Sequence, residues 1–359
     1  MRVAVTLEQC WHRVPGGSAR ATLDAIAAVA QRGGVEQVGV SAWHRQPPPL
    51  PWRPPIPVRA LPLPRLALYD SWQRWRLPRV ERATGPVDVV HATAHVAPAS
   101  TAPLVATVHD LHFLHDPTHF TARGVRVFTR FLAIVRDEAA IVVCPSEATR
   151  QDCQTAGIDD ARLRITPWAT AVEAVGASEV ARVRAVYGLE DPFVLFAGTV
   201  EPRKNLARLT EAHRRLGDSR VTLVVVGPDG WGEDLPSTGV RRLGFVPRAD
   251  LHALYAAAAV VAYPSLCEGF GLPVLEAMAQ GAVVVTSANT ATAEVAGNAA
   301  LLVDPLDCDA IAGALRRALD DPALCDQLRD AAVARAATFT WDRTADALVS
   351  AYRAAVGTA

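Results

Sequence analysis

Two glutamates stand eight positions apart in the stretch CEGFGLPVLEAMAQG, which begins at Cys267. Glu268 lies before the glycine-containing turn of this stretch and Glu276 lies after it. Carboxylates accept hydrogen bonds from sugar and ribose hydroxyls, and each charge-assisted bond contributes roughly 1.5–3 kcal/mol. The spacing therefore favours a site for a hydroxylated ligand. The alternative is that Glu276 only complements the dipole of a helix, which contributes about 0.3–1 kcal/mol.

The stretch EPRKN, residues 201–205, contains the single lysine of the chain. The other 35 of the 36 cationic residues are arginines, so Lys204 beside Arg203 indicates that a compact point charge is needed there. A helix is expected to begin at Asn205, and its N-terminal amides also favour anions. These features predict a diphosphate site, with a solvated helix start as the alternative. A P-loop is excluded because its lysine is followed by Ser or Thr.

The elements that must position these residues are short, apolar runs separated by helical patterns. Such runs predict an α/β fold with parallel sheets that are covered on both faces. The runs are RVAVT, VDVVHAT, LVATVH and AIVVCPS in the first half, and FVLFAGT, VTLVVVG, VVAYPS and VVVTS in the second. Each half therefore predicts one doubly wound sheet, with the boundary near residues 168–190.

Ligands of open α/β sheets bind beyond the carboxyl ends of the strands. Four stretches follow predicted strands there: the Gly16-Gly17 loop, His109-Asp110, EPRKN, and the turn after VVAYPS. Two come from each half, so they are expected to face one another across a cleft.

The turn itself is expected to consist of Gly269, Phe270 and Gly271, because VVAYPS ends at Ser265 and Pro273 suits the first turn of a helix. The glycines let the backbone approach a ligand closely, and free amides at a helix start suit anionic or hydroxylated groups.

Length and composition point to an ordinary globular protein. The 359 residues suggest two domains, and half of them are apolar. The longest apolar run, near residues 256–267, contains a proline and is shorter than the ~18 residues of a membrane span. Glu8 comes too early for a secretory signal, so a cytoplasmic location is expected. The six cysteines form no C-x-x-C pair, and reduced core thiols are expected rather than a zinc site or disulfides.

Charge is unevenly spread along the chain. Residues 1–168 contain 19 arginines against 14 acids, and the remainder contains 17 cations against 23 acids. The segment from Arg45 to Arg82 holds eight arginines against Asp70 and Glu81. It begins as the proline-rich run PPPLPWRPPIP and continues as a helix in which Trp72 and Trp75 share a face. Two interpretations stay open: a surface helix docked by its aromatics, or a peripheral contact with anionic membrane or a lipid-linked acceptor. Nucleic-acid binding is not expected, because the chain as a whole is not basic.

Three stretches in the second half of the sequence resemble a known family. FAGTVEPRKNL, LGFVPRADLHALYAAAAVVAYPSLCEGFGLPVLEAMAQG and EVAGNAALLVDPLD resemble the second domain of retaining glycosyltransferases of family four, which have the GT-B fold. These stretches cover most of residues 196–307. In the first half, VHDL and SEATRQD resemble the subgroup of bacterial mannosyl- and rhamnosyltransferases. The chain departs from the family at Pro167-Trp168-Ala169, where members often have a glycine-containing turn.

The resemblance implies two Rossmann-like domains that face a central cleft. Residues 1–170 would form the acceptor side, residues 171–342 the donor side, and a helix at about 343–359 would pack back on the first domain. Arg203 and Lys204 match the pair that holds the donor diphosphate, and Glu276 matches the glutamate that binds the ribose.

Further roles follow from the same resemblance. Glu268, with the amides of residues 269–272 (Gly269, Phe270, Gly271 and Leu272), matches the element that holds the transferred sugar. His109 falls where members place a histidine against that sugar. The Gly16-Gly17 loop would approach the phosphate or the acceptor, and backbone around Phe245 and Val246 would contact the base.

The implied activity is metal-independent transfer of a hexose with retention by front-face attack. The donor would be a nucleotide-diphosphate sugar, with GDP-mannose favoured, and the acceptor a glycan or lipid-linked saccharide of cell-surface polysaccharide or glycolipid synthesis. No other cofactor is expected. Alternatives are a rhamnosyl- or glucosyltransferase that uses a dTDP- or UDP-sugar, an idle nucleotide-sugar-binding partner of a membrane assembly, and a GT-B epimerase or phosphorylase. A paired-carboxylate glycosidase is disfavoured because it would not need the Arg-Lys pair.

Two patterns resemble metal sites. Asp307-Cys308-Asp309 matches the D-x-D pattern of metal–diphosphate sites. It precedes a helical stretch, however, and is expected to be an N-cap. His109 is followed closely by His112, His115 and His119, without an HExxH pattern, so these three are expected near the acceptor or on the surface.

Overall fold

The structure is a computed structural model, and it describes residues 1–12, 15–170, 173–218, 220–230 and 238–357. The chain divides into two compact units. Unit 1 consists of Met1–Ala169 and Thr340–Ala359, and unit 2 consists of Thr170–Phe339. The expected boundaries lie after residues 170 and 342. Each unit contains one parallel sheet, so the predicted α/β class with two doubly wound sheets is confirmed.

The sheet of unit 1 has seven parallel strands in the order β3-β2-β1-β4-β5-β6-β7. The strand order reverses direction between β1 and β4, which makes their carboxyl ends the switch point of this sheet. The strands are β1 (Arg2–Thr6), β2 (Glu36–Ser41), β3 (Val58–Ala60), β4 (Val89–Ala92), β5 (Leu104–Thr107), β6 (Ala139–Cys144) and β7 (Leu163–Ile165).

Helices cover both faces of this sheet. They are α1 (Gly16–Arg32), α2 (Arg65–Trp75), α3 (Glu81–Thr84), α4 (His112–His115), α5 (Ala122–Glu138), α6 (Glu147–Thr155) and the C-terminal helix (Trp341–Gly357). Short 3-10 turns lie at Glu8–Trp11, Leu50–Trp52, Pro117–His119 and Asp160–Arg162.

Alternation along β4 decides which helices cover which face. Val90 and Ala92 belong to one buried cluster with Leu68 of α2 and Phe131 of α5. His91 points to the opposite face, where its Nδ1 lies 2.9 Å from the hydroxyl of Tyr352 on the C-terminal helix. Successive side chains of a strand point to opposite faces, so α2 and α5 share one layer while the C-terminal helix belongs to the other.

The two tryptophans that the sequence placed on one helix face have different environments. Trp72 is buried and its Nε1 donates to the carbonyl of Pro78 at 2.8 Å, whereas Trp75 is 67% exposed. Trp75 is the last residue of α2, so it lies beyond the core that Trp72 fills. One aromatic docks the helix and the other faces solvent.

Unit 2 contains a six-stranded parallel sheet in the order β10-β9-β8-β11-β12-β13. The order reverses between β8 and β11. The strands are β8 (Phe193–Ala197), β9 (Thr222–Val226), β10 (Val240–Gly244), β11 (Val260–Tyr263), β12 (Val284–Ser287) and β13 (Leu301–Val303). The helices are α7 (Ala177–Tyr187), α8 (Leu206–Arg214), α9 (Arg248–Ala257), α10 (Leu272–Ala279), α11 (Ala291–Ala296), α12 (Cys308–Asp320) and α13 (Pro322–Ala336), and a 3-10 turn lies at Pro202–Lys204.

Two further expectations concern the whole chain. The six cysteines are free, four of them buried and two half-buried. Within the described ranges, no helix has both the length and the apolar character that crossing a bilayer requires.

The packing of the C-terminal helix on α1 generates a stability prediction. Leu348 is buried and, with Ile26 and Val29 of α1, lines a small cavity in unit 1. We expect Leu348→Ala to lower the free energy of unfolding of unit 1 by about 2–5 kcal/mol, because it removes buried methyl groups and leaves a larger void. Urea denaturation followed by circular dichroism measures this. Val356→Ala, at a 44% exposed position of the same helix, is the control and should cost less than about 0.5 kcal/mol. Equal midpoints for both variants would contradict the prediction.

Candidate active site

The candidate site of unit 2 lies at the carboxyl edge of β8 and β11. These strands are neighbours, with Val194 opposite Val260 and Leu195 opposite Val261. EPRKN follows β8 and CEGFG follows β11. Both segments therefore reach the switch point of the sheet, which is where doubly wound folds bind ligands.

A tight turn presents Arg203 and Lys204. Residues Pro202–Lys204 form a single 3-10 turn, and Asn205 follows in the left-handed region with φ of 62°. The Asn205 Nδ2 donates to the carbonyls of Pro264 at 2.9 Å and Pro305 at 2.6 Å. Asparagine tolerates this backbone conformation because its short side chain can form local hydrogen bonds. The helix that was expected at Asn205 begins one residue later, and Asn205 ties the turn to the segment after β11.

Arg203, Lys204 and Glu268 are in direct contact. Lys204 Nζ donates to Glu268 Oε1 at 2.5 Å, and Arg203 Nη1 donates to Glu268 Oε2 at 3.1 Å. Arg203 Nη2 also pairs with Glu201 Oε1 at 2.8 Å. The side chains of Lys204, Glu268 and Glu201 are each only 8% exposed, and that of Arg203 is 22% exposed. Residues 65 positions apart thus form one buried cluster, in which Glu201 is a member that the sequence analysis missed.

Tyr263 is a second member that the sequence did not indicate. Its hydroxyl accepts a hydrogen bond from Lys204 Nζ at 2.5 Å, and the ammonium lies 4.9 Å from the ring centroid. Tyr263 is buried at the end of β11 and stacks on Phe196 of β8, with 5.5 Å between ring centroids. The aromatic pair therefore forms an apolar floor beneath the lysine.

The electrostatics of the cluster follow from burial and pairing. Burial acts to raise the pKa of Glu268, but the charges of Lys204 and Arg203 outweigh it and lower the pKa to about 2. Burial and the neighbouring Arg203 lower the pKa of Lys204, while Glu268 opposes them. At neutral pH, Glu268 is therefore a carboxylate that can accept hydrogen bonds.

In the turn before α10, position 271 requires glycine because of its backbone conformation and the lack of space, and not only so that a ligand can approach. Gly271 has φ of 106°, and a Cβ on it would lie 2.7 Å from Cγ2 of Thr292. A side chain at position 271 is disfavoured both by the positive φ and by the close contact with Thr292. Phe270 is buried against Phe339, and α10 begins at Leu272. The amides of Phe270, Gly271 and Leu272 donate to no other group within the described ranges.

Glu276 lies one turn into α10, as expected. It is half-buried, and its Oε2 accepts from the Tyr255 hydroxyl at 3.4 Å. Burial and the charge of Glu276 raise the pKa of Tyr255 well above its ordinary value. Tyr255 thus remains a hydrogen-bond donor that orients the carboxylate.

The expected base-binding segment follows the edge strand β10. Phe245 is 75% exposed, and Val246 is buried. The chain turns there because Gly244 has φ of 66°, and its carbonyl accepts from Gly227 at 2.8 Å. Phe245 therefore presents a free ring at the carboxyl edge of this sheet.

His109 follows β5 in unit 1 and is buried. Its Nε2 donates to the carbonyl of Thr93 at 2.9 Å, which leaves Nδ1 as the acceptor of a neutral ring. Burial and then the neighbouring His95 lower the pKa of His109 to about 4. The ring is therefore uncharged at neutral pH.

The expected loop conformation of Gly16-Gly17 is wrong, while their expected approach to the phosphate or acceptor stays a prediction. These residues do not form a loop after β1; they are the exposed first turn of α1, and a 3-10 turn at Glu8–Trp11 follows the strand instead. Gly16 has φ of 72°, and nothing lies within 4 Å of a Cβ on it. A glycine can begin a helix from this left-handed conformation, so the glycine pair was mistaken for a loop signal.

The patterns that resemble metal sites have structural roles. Asp307 Oδ1 accepts from the amides of Asp309 at 2.8 Å and Ala310 at 3.0 Å, which confirms the predicted N-cap. His112 Nε2 lies 2.8 Å from His119 Nδ1, and His115 contacts Asp152. The described ranges contain no group of three or more potential ligands placed to hold a metal ion.

Both halves of the chain match known glycosyltransferase families. The profile of "Glycosyl transferases group 1" matches residues 180–335, and that of "Glycosyltransferase Family 4" matches residues 15–173. Two Rossmann-like sheets and these matches define a glycosyltransferase with the GT-B fold. O-antigen chain mannosyltransferase B of Escherichia coli is 32% identical over 281 residues, which are 74% of each chain. The protein belongs to glycosyltransferase family four, and the predicted resemblance to its bacterial mannosyltransferases is confirmed.

Two further relatives extend the comparison. D-inositol 3-phosphate glycosyltransferase of Kribbella flavida is 37% identical over 202 residues, which cover 50% of this chain and 48% of the relative. The crystal structure of Anabaena HepE in complex with UDP-glucose has a TM-score of 0.75 and 19% identity, and the match covers 98% of this chain and 99% of that one. The structural likeness supports the fold.

The glycine turn gives a paired stability prediction. We expect Gly271→Ala to lower the free energy of unfolding of unit 2 by roughly 1–3 kcal/mol, because of the positive φ and the contact with Thr292. Gly313→Ala in α12 is the matched control, since nothing lies within 4 Å of its added Cβ. It should stabilise by about 0.5–1 kcal/mol. Urea denaturation of both variants measures the difference, and an unchanged midpoint for Gly271→Ala would refute the steric argument.

Proposed function

We propose that the protein is a retaining, metal-independent mannosyltransferase. It would transfer mannose from GDP-mannose to a glycan or lipid-linked acceptor in the synthesis of cell-surface polysaccharide or glycolipid. The observation that carries the proposal is the buried cluster of Arg203, Lys204 and Glu268 at the switch point of unit 2. The 32% identity to an O-antigen chain mannosyltransferase supports mannose as the sugar.

Donor binding follows from the charges of this cluster. Arg203 and Lys204 are adjacent on one turn and offer several N–H donors to diphosphate oxygens. Both now donate to Glu268. When phosphate oxygens accept from the two cations, the Glu268 carboxylate can accept hydrogen bonds from hydroxyls of the sugar. The amides of Phe270, Gly271 and Leu272 would add further donors at the N-terminus of α10.

The chemical step requires stabilisation of the leaving diphosphate. In front-face displacement, the acceptor oxygen bonds to the anomeric carbon on the side from which the phosphate oxygen departs. The departing diphosphate takes the acceptor proton, and Arg203 and Lys204 stabilise its developing charge. These two cations supply the positive charge that a divalent ion supplies elsewhere, which is the basis for proposing metal independence.

Glu268 is not proposed as a covalent nucleophile. Each of its oxygens accepts a hydrogen bond from a cationic side chain, which lowers the basicity of the carboxylate and its pKa. Its proposed role is to orient the sugar. Glu276 would accept from the ribose hydroxyls while Tyr255 holds it, and backbone near Phe245 and Val246 would contact the base.

A donor with another base is the second candidate. Anabaena HepE, which has the same fold over nearly its whole length, was crystallised with UDP-glucose. A UDP- or dTDP-linked glucose or rhamnose would use the same diphosphate and ribose contacts. Base identity therefore has to be measured.

Donor identity can be tested by thermal shift with GDP, UDP, dTDP and their sugar conjugates in the presence of EDTA. We expect GDP and GDP-mannose to stabilise the protein by about 2.7 kcal/mol at one hundred times the dissociation constant. Glu276→Gln should reduce the shift, because an amide oxygen accepts a weaker hydrogen bond from the ribose hydroxyls than a carboxylate does. Glu190→Gln, at an exposed position of unit 2, should leave it unchanged. A shift with UDP or dTDP alone would show that the donor carries uracil or thymine instead of guanine. No shift with any nucleotide would refute the donor site.

Transfer can be tested with GDP-mannose and an alkyl α-mannoside as acceptor. We expect an α-linked product, assigned by NMR, and undiminished turnover in EDTA. Lys204→Met should lower kcat/KM by on the order of 10²–10³-fold, since it removes a stabilising charge from the leaving group. Arg214→Gln, on the exposed side of α8, should be fully active.

Lys204→Met also leaves the buried carboxylate of Glu268 with one partner fewer, which can destabilise the fold. Glu268→Gln, which removes the buried charge, therefore provides a second variant. It should reduce transfer while the thermal shift with GDP is retained, since GDP has no sugar for Glu268 to bind. A β-linked product would disprove retention, and loss of activity in EDTA that added divalent metal restores would disprove metal independence.

A further inference from the structure

Two helices of unit 1 lie side by side in the layer that covers one face of the sheet. Gln73 Nε2 of α2 donates to the carbonyl of Val127 of α5 at 3.3 Å, and Arg130 Nε donates back to the carbonyl of Gln73 at 2.9 Å. Arg123 of α5 lies 3.7 Å from Asp70 of α2. The arginine-rich segment from Arg45 to Arg82 contains α2, and the structure adds α5 to the same surface.

Among the exposed charged residues of α2 and of the first half of α5, residues 122–130, four are arginines and one, Asp70, is acidic. On α5, Arg123, Arg126 and Arg130 are exposed at positions i, i+3 and i+7, which share one helix face. On α2, Arg74 is exposed, and Asp70 is partly neutralised by Arg123. We call these four arginines the arginine face. Arg74 and Arg126 have no carboxylate at ion-pair distance among the described residues, so both charges are available to an external anion.

Exposed apolar side chains flank the arginine face at both ends of α2. Trp43 is 53% exposed, and its amide donates to the carbonyl of Leu63, just before α2 begins. Leu66 is half exposed in the first turn of α2. Trp75 and Leu77 are exposed at the other end. Single exposed apolar residues are ordinary, but two tryptophans and two leucines around one set of cations are not explained by packing within unit 1.

We infer that the arginine face and its flanking residues, Trp43, Leu66, Trp75 and Leu77, bind the surface of an anionic lipid bilayer. Guanidinium groups match lipid phosphates, and tryptophan and leucine side chains enter the boundary between headgroups and acyl chains. Leu66 and Arg74 lie on one side of α2, whereas Trp43, Trp75 and Leu77 lie at the two ends of this helix. The net charge of −1 makes general attraction to polyanions weak, so this local surface has to supply the affinity.

The consequence for function is that the enzyme would work at the membrane, close to acceptors that are attached to lipid. Only this consequence rests on the proposed function. Binding of the bilayer depends on unit 1 residues that have no part in the donor site, so it can be measured without donor or acceptor.

The test is co-sedimentation of the full chain with vesicles of phosphatidylcholine, with and without phosphatidylglycerol, at low and high salt. We expect retention on vesicles that contain phosphatidylglycerol at low salt, little on pure phosphatidylcholine, and weaker retention at high salt because the charges are screened. The triple variant R74Q/R123Q/R126Q should bind anionic vesicles about 100-fold more weakly, given the usual contribution of each basic residue near a charged membrane.

A matched variant controls for the loss of net charge. R214Q/R220Q/R317Q removes three exposed arginines from unit 2 and should bind as the wild type does. For the apolar contribution, W75S/L77S should release the fraction that remains bound at high salt, whereas V186S/L306S, at exposed sites of unit 2, should not.

Three outcomes would overturn the inference: no retention on anionic vesicles, equal loss in both triple variants, or binding to heparin or an acidic protein without binding to vesicles. The thermal shift with nucleotides, measured on the same triple variants, separates this proposal from the donor site. A triple variant that loses vesicle binding and keeps the nucleotide shift leaves the proposed function untouched.

Discussion

The organisation of unit 2 depends on the neutralisation of one buried carboxylate. Glu268 is almost inaccessible to water, and an unpaired charge in that position would cost several kcal/mol. Lys204 and Arg203 satisfy one oxygen each, so the loop after β8 and the loop after β11 must stay together. The ion pairs of this cluster fix the positions of its side chains, and the cluster lies where a phosphate or a sugar would bind.

The residues around the cluster keep it rigid. Asn205 binds the carbonyls of Pro264 and Pro305, Tyr263 supports the lysine from below, and Gly271 allows the chain to turn into α10 against Thr292. Donors that are fixed in this way need little reorganisation when charge develops on a leaving group, which is what makes them effective in catalysis. The three supports perform no chemistry in the proposed mechanism, yet the positions of Arg203 and Lys204 depend on them.

Unit 1 uses the same strand plan with a different distribution of charge. At the carboxyl end of β5, His109 is neutral because burial, and then the neighbouring His95, lower the pKa of its ring. Four cations of this unit form the arginine face of α2 and α5 instead. Burial accounts for the contrast: a cation inside a sheet fold requires a carboxylate partner, as in unit 2, whereas an arginine on an outer helix face can stay hydrated or meet an external anion.

The sequence by itself determined the α/β class, the eight strands with continuous apolar runs, and the candidate residues Arg203, Lys204, Glu268 and Glu276, because residue type and local period are written in the chain. It did not indicate β2, β3, β7, β10 or β13, since these are short, interrupted by glycine, or polar at a sheet edge, as the two arginines of β10 show. Only the tertiary structure decided that Glu201, Asn205 and Tyr263 join the cluster, that Gly16 begins a helix, and that Trp72 is buried while Trp75 is exposed. Each of these depends on contacts between segments distant in sequence, and local patterns do not encode which distant group will satisfy a buried charge or cover an apolar ring.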